Sequence, residues 1–142
     1  MGKDVIVACD FSSAEATFAF LDKFTGRKPF VKIGMELYYA EGPSIVKAFK
    51  DLGFHVFLDL KFHDIPHQVE GAAASAVASG ADMLTMHASG GVAMMQAAQR
   101  GVERVCTQTG RDLPATLGIT VLTSMDEPTL KRIGVERAME EQ

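Results

Sequence analysis

Val56-Phe57-Leu58-Asp59-Leu60-Lys61-Phe62-His63-Asp64-Ile65-Pro66 is the stretch from which both the fold and the chemistry of this chain are read. Its apolar opening, Val56-Phe57-Leu58, has the pattern of a buried strand. Strand side chains alternate between faces, so Asp59 and Lys61 are expected on one surface, about 7 Å apart. Leu58 and Leu60 then turn the other way, into whatever packs behind. Asp64 follows three residues later, and Pro66 keeps a helix from running back through it. A carboxylate, an ammonium and a second carboxylate thus gather at the C-terminal end of one strand, where parallel α/β folds place their chemistry.

On the N-terminal side, Val5 to Cys9 is a continuous apolar run, expected to be a strand buried on both faces and closed by Asp10. Ser12 and Glu15 fit a capping box that opens a helix carrying Phe18, Leu21 and Phe24 and stopping at Gly26. Phe30 to Ile33, with Lys32 inside it, reads as the second strand. Gly42-Pro43-Ser44 opens a helix with Ile45, Phe49 and Leu52 inward and Gly53 at its end. On the C-terminal side, an Ala-rich helix runs from Pro66 through Val77 to a stop at Gly80, and Asp82 to His87 forms a fourth strand. His87-Ala88-Ser89-Gly90-Gly91 leads into a helix from Val92 to about Arg104, striped by Met94, Met95, Ala98 and Val102. Ala115 to Leu122 is a fifth strand ending at Thr123-Ser124, and Pro128 opens a last helix through Leu130, Ile133 and Met139.

Strands alternating with helices call for a parallel sheet with helices outside. Two closures satisfy the periodicity. One is an open doubly wound sheet; the other is a (β/α)8 TIM barrel, ordinarily about 250 residues, of which these are the first five βα units. No linker or low-complexity tract interrupts the chain, so residues 1–142 are expected to form a single domain.

Composition narrows the function. The chain has 142 residues, 47% hydrophobic and 23% charged, as an ordinary globular domain does. A net charge of −4 with no basic face argues against nucleic acid as the main partner but leaves small anionic substrates open. Cys9 and Cys106 share no metal-ligand spacing with each other or with a histidine, and they make no disulfide framework. A cytoplasmic location is therefore expected, with Cys9 a small core residue. Met1-Gly2-Lys3-Asp4 precedes only five apolar residues, so no signal peptide is expected. No apolar run approaches the roughly 20 residues that cross a membrane, and no membrane partner is expected.

Polar residues recur at the strand ends: Asp10, Lys32, Asp59 with Lys61, His87 and Thr123. Each has a plain structural account. Asp10 could favour the start of the next helix, Lys32 could sit in a structural ion pair, and Thr123-Ser124 could cap a turn. His63 and His67 read as loop and helix-start residues rather than metal ligands, and His87 as a hydrogen-bonded structural histidine. Gly90-Gly91 could bring a backbone amide to an anion. Polar groups at all five strand ends are better accounted for by one shared active-site mouth.

Five segments carry a family resemblance: Ala8-Cys9-Asp10, Val31-Lys32-Ile33-Gly34-Met35-Glu36-Leu37, Phe57 through Pro66, His87-Ala88-Ser89-Gly90-Gly91 and Leu122-Thr123-Ser124. Together they resemble the bacterial orotidine 5′-phosphate decarboxylase family over essentially the whole chain. The resemblance implies a (β/α)8 barrel working as a homodimer with active sites shared across the interface. It implies decarboxylation of orotidine 5′-monophosphate to uridine 5′-monophosphate in de novo pyrimidine biosynthesis, with no metal or organic cofactor. On it, Lys61 would donate the proton to the carbon that loses carbon dioxide, and Asp59 would lie beside the departing carboxylate. Asp64 would reach into the partner's site, Asp10 and Lys32 would hold the ribose hydroxyls, and Thr123 would line the pocket near the pyrimidine. Ile65 and Gln68 complete the substrate-binding set. The family usually has Asn or Thr in the two positions after Ile-Pro, where this chain has His67 and Gln68; Gln68 keeps the capacity to hydrogen-bond. In the family, strands six to eight supply a phosphate-gripping loop with its Arg and Gln, whereas this sequence reaches Gln142 in what should be the fifth helix. Two alternatives stay open: a Mg²⁺-dependent sugar-phosphate decarboxylase or aldolase sharing Asp-x-Lys-x-x-Asp, and an inactive, interaction-dependent half-barrel.

Overall fold

A computed structural model describes residues 5–142. Its strands are β1 (Ile6–Ala8), β2 (Phe30–Gly34), β3 (His55–Phe62), β4 (Met83–His87) and β5 (Ala115–Ile119). Its helices are α1 (Ala14–Leu21), α2 (Met35–Glu41), α3 (Ser44–Asp51), α4 (Pro66–Ser79), α5 (Val92–Thr109) and α6 (Glu127–Arg132).

The strands form one parallel sheet in the order β1-β2-β3-β4-β5. Each crossover advances one place in the same direction, so right-handed connections put every helix on the same face. A doubly wound sheet reverses direction partway and covers both faces. The order here is that of the first five βα units of a (β/α)8 barrel. Val31, Ile33, Val56, Leu58 and Leu84 point to the helices and are fully buried with Val46, Phe49, Val69, Val77 and Met94. Residues in alternate register point to the other face, where Phe30 and Phe57 are only partly buried and Ile6 and Leu117 are 43% and 38% exposed.

Several element boundaries differ from the sequence-based expectation. β1 is a short edge strand with Val5 and Ile6 exposed, not one buried on both faces; only Cys9, just beyond it, is sealed in the core. The N-cap of α1 is Ser13 rather than Ser12, accepting from the Ala16 amide, and the helix stops at Leu21, short of Gly26. The carboxylate that closes this helix start comes from Glu41 of α2, which accepts the Ala14 N–H at 2.7 Å, rather than from Glu15. Leu52 falls just past the end of α3 and is exposed. α5 runs on to Thr109, whereas α6 ends at Arg132, leaving Ile133 exposed and Met139 in a separate short turn.

Charged side chains tie the N-terminal ends of the strands together. Asp82 accepts from the Val56 amide at 2.7 Å and from Lys50 Nζ at 2.6 Å. Arg111 donates to the carbonyls of Val77, Gly80 and Ala81, closing the C-terminus of α4, whose Gly80 turns the chain at φ 113°. α4 and α5 lie in close contact: a Cβ on Gly101 would stand 2.2 Å from the Glu70 carbonyl oxygen.

Candidate active site

At the opposite, C-terminal end of the sheet, β3 departs from regular pairing. Leu58 lies opposite Leu84 and Phe62 opposite Met86, so Asp59-Leu60-Lys61 spans the single residue Thr85 of β4. This bulge breaks the alternation expected from the sequence. Lys61 takes a left-handed conformation, φ 51°, and Leu60, packed against the core as expected, also lines the clefts. Asp59 and Lys61 are drawn into contact, with Lys61 Nζ donating to Asp59 Oδ1 at 2.9 Å.

The charges form a row across three strands. Lys32 Nζ, from β2, donates to Asp10 Oδ1 at 3.0 Å and lies 3.8 Å from Asp59 Oδ2. Reading across, the signs alternate from Asp10 to Lys32 to Asp59 to Lys61. Asp59 is the most enclosed, with its side chain 13% exposed, and Asp10 the least, at 62%. Charges held at such spacings away from bulk water interact several-fold more strongly than on the surface, provided none is left unpaired. Asp59 has a further donor, the Thr85 hydroxyl, at 3.0 Å.

A cleft of about 710 Å³ opens over the Asp59–Lys61 end of the row. Asp59, Lys61, His63, His87, Thr123 and Ser124 give it polar walls, and Phe57, Ile119 and Leu122 an apolar floor. A second hollow of about 320 Å³ lies on the other side of Lys61, lined by Tyr39, His63, Asp64 and Gln68 among others. The predicted residues therefore fall in two groups. Asp59, Lys61 and Thr123 line the main cleft, and Asp10 and Lys32 line an adjoining hollow of about 230 Å³ that shares Asp59 and Lys61 with it. Asp64 and Gln68 border the second hollow, with the Asp64 carboxylate accepting its neighbour Ile65's amide at 2.6 Å and Ile65 exposed. His87 packs against His63, ring centres 5.3 Å apart, and faces the main cleft. Burial, the neighbouring His63 and the Lys61 ammonium hold its pKa below the usual histidine value. Burial first, then Asp10, pushes the Cys9 thiol up to about 11, Lys32 working against them.

Thr85 escaped the sequence reading. The only hint is one hydroxyl in an otherwise apolar strand, Met83-Leu84-Thr85-Met86, and nothing local says that a bulge will lie opposite it.

A singly wound parallel sheet with an alternating charge row at the C-terminal ends of its strands places the molecule among the (β/α)8-barrel proteins. More particularly, the chain belongs to the orotidine 5′-phosphate decarboxylase / HUMPS family, whose model matches residues 3–142. It is 44% identical over 142 residues to the orotidine 5′-phosphate decarboxylases of Bacillus cytotoxicus and Bacillus mycoides, covering 99% of this chain and 59% of each relative. It thus spans about three-fifths of the length of these curated relatives. A crystal structure of an uncharacterized conserved protein from Geobacillus kaustophilus superposes with a TM-score of 0.90 at 46% identity, over 96% of this chain and 63% of that one. Orotidine 5′-phosphate decarboxylase from Lactobacillus acidophilus superposes with the same TM-score at 36% identity, over 99% of this chain and 63% of that one.

Proposed function

We propose that this chain carries the catalytic charge row of a barrel that decarboxylates orotidine 5′-monophosphate to uridine 5′-monophosphate in pyrimidine biosynthesis. The alternating row Asp10–Lys32–Asp59–Lys61 is the observation that carries the proposal. A substrate carboxylate brought against Asp59 is disfavoured in the ground state, and the penalty is relieved as the carbon–carbon bond breaks. Carbon dioxide departs, the electron pair remains on the pyrimidine carbon, and Lys61 stabilises it and delivers a proton there. Ammonium groups preorganised at the place where negative charge develops supply the main stabilisation. Asp10 and Lys32 bind the ribose hydroxyls, and Thr123 borders the pyrimidine. Asp64, Ile65 and Gln68 serve a neighbouring subunit's site in a cytoplasmic homodimer, a role favoured by the exposed Tyr39 and Ile65 beside them. The phosphate is gripped by units beyond those of this chain, and that remote binding energy supports the chemistry at the pyrimidine.

No metal or organic cofactor enters the proposed reaction. The Lys32 ammonium stands between the Asp10 and Asp59 carboxylates and supplies their positive counter-charge. The test is to assay the 142-residue chain beside a version carrying the remaining βα units, following orotidine 5′-monophosphate by absorbance, with and without a chelator. Turnover by the closed version, unaffected by chelation, is expected. A well-folded closed version without turnover, or one that needs Mg²⁺, rejects the proposal.

A further inference from the structure

Thr85 is fully buried, and both hydrogen bonds of its hydroxyl go to members of the charge row. Its hydroxyl donates to Asp59 Oδ1 at 3.0 Å and accepts the Lys61 backbone N–H at 2.9 Å. The Lys61 ammonium reaches the same Asp59 oxygen at 2.9 Å. A hydroxyl has one proton to give and lone pairs to accept with, so one side chain fastens both the carboxylate and the backbone of its ammonium partner. The bulge needs such a fastening. Lys61 has left the β ladder in a conformation uncommon for a residue with a side chain, and its amide would otherwise be an unpaired donor in the interior.

Resting on the decarboxylase reading above, we infer that Thr85 is a positioning residue, setting the orientation of Asp59 and the path of the bulge so that Lys61 faces the reacting carbon. Valine matches threonine in shape but lacks the hydroxyl, so packing alone would tolerate it. Without the hydroxyl, Asp59 Oδ1 keeps, among the described residues, only Lys61 as donor, the carboxylate is free to turn toward Lys32, and the Lys61 amide loses its acceptor.

In the closed barrel, Thr85→Val is expected to lower kcat by about 10- to 100-fold, as loss of a hydrogen bond to a charged group does, with KM changed by less than about threefold. Thr85→Ser, which keeps the hydroxyl, should recover most of the rate. Amide exchange at Lys61 should quicken by about tenfold or more in Thr85→Val and stay slow in Thr85→Ser. Should the valine variant fail to fold, Thr85→Ala against Thr85→Ser gives the same comparison. An unchanged kcat in the hydroxyl-free variant, a serine variant as impaired as the valine one, or unaltered Lys61 exchange would overturn the inference. If the unmutated closed barrel does not decarboxylate, the functional reading fails instead, and Lys61 exchange still decides whether Thr85 holds the bulge.

Discussion

Replacing Lys61 by alanine removes the proposed proton donor and leaves Asp59, among the described residues, with Thr85 and the more distant Lys32. In a closed barrel Lys61→Ala should cut kcat by about 100- to 10,000-fold, the range for losing a positioned proton donor, with an unchanged circular dichroism spectrum. Near-normal turnover would remove Lys61 from that role. His87 gives a pH-dependent prediction. Its folded pKa lies below its unfolded value, so on acidification the unfolded chain takes up the proton first. Its contribution is fully present above about pH 6.5 and is lost as pH falls through the folded value. Urea unfolding at a series of pH values should show this loss, and His87→Gln should flatten it; an identical slope in the variant would dissociate the loss from His87. Cys9 is sealed in the core with its thiol at about 11, and thiolate is the reactive form. Iodoacetamide at neutral pH should spare Cys9 in the native protein and label it once denatured; native labelling as fast as that of a free thiol would contradict its burial. At this scale the sequence was legible where charge breaks an apolar strand, as at Lys32, Asp59 and Lys61. Thr85 was not, because its importance depends on the residue opposite, which only the register of β3 against β4 decides.

Gly101 tests the contact between α4 and α5. Alanine there should gain roughly 1 kcal/mol of helix propensity. The new methyl would meet the Glu70 carbonyl, which as helix backbone cannot swing aside, and overpacking of this kind costs about 1–3 kcal/mol. A net fall in the melting temperature of Gly101→Ala is expected, and a rise would show that the helices can part without penalty. Elements with a full apolar stripe and glycine punctuation, such as α4 ending at Gly80, were legible from spacing. α2 was not: of its seven residues only Leu37 is buried, so Met35–Glu41 has no periodic stripe to read. The end of α6 was missed for a related reason: Gly134, at φ 86°, turns the chain before the apolar Ile133 and Met139 can share a helical face.

Across the whole molecule, the periodicity left two closures open, and the choice between them is made by the direction of each crossover, which no local pattern encodes. The two-group distribution of site residues gives a prediction at this scale. Lys61→Ala and Asp64→Ala subunits of the closed barrel, mixed and allowed to exchange, should recover part of the activity, because one site of each heterodimer then holds both residues intact. No recovery, with exchange verified by mass spectrometry, would assign Asp64 to its own subunit's site. The strand order has a consequence for how the chain reaches this arrangement. Cross-strand contacts such as Asp10–Lys32, Lys61–Thr85 and Val56–Asp82 join residues only 22, 24 and 26 apart in sequence. Closing such loops costs little more for one than for the next, so the sheet can grow by adding one βα unit to a neighbour already formed. The β3-α4-β4-α5 segment, with the fullest helix packing, is the natural nucleus, and its amides should be the slowest to exchange with deuterium. β1, short and paired on one side, would join late, so Asp10 would be the last member of the charge row to arrive, after Lys32, Asp59 and Lys61 are already in place.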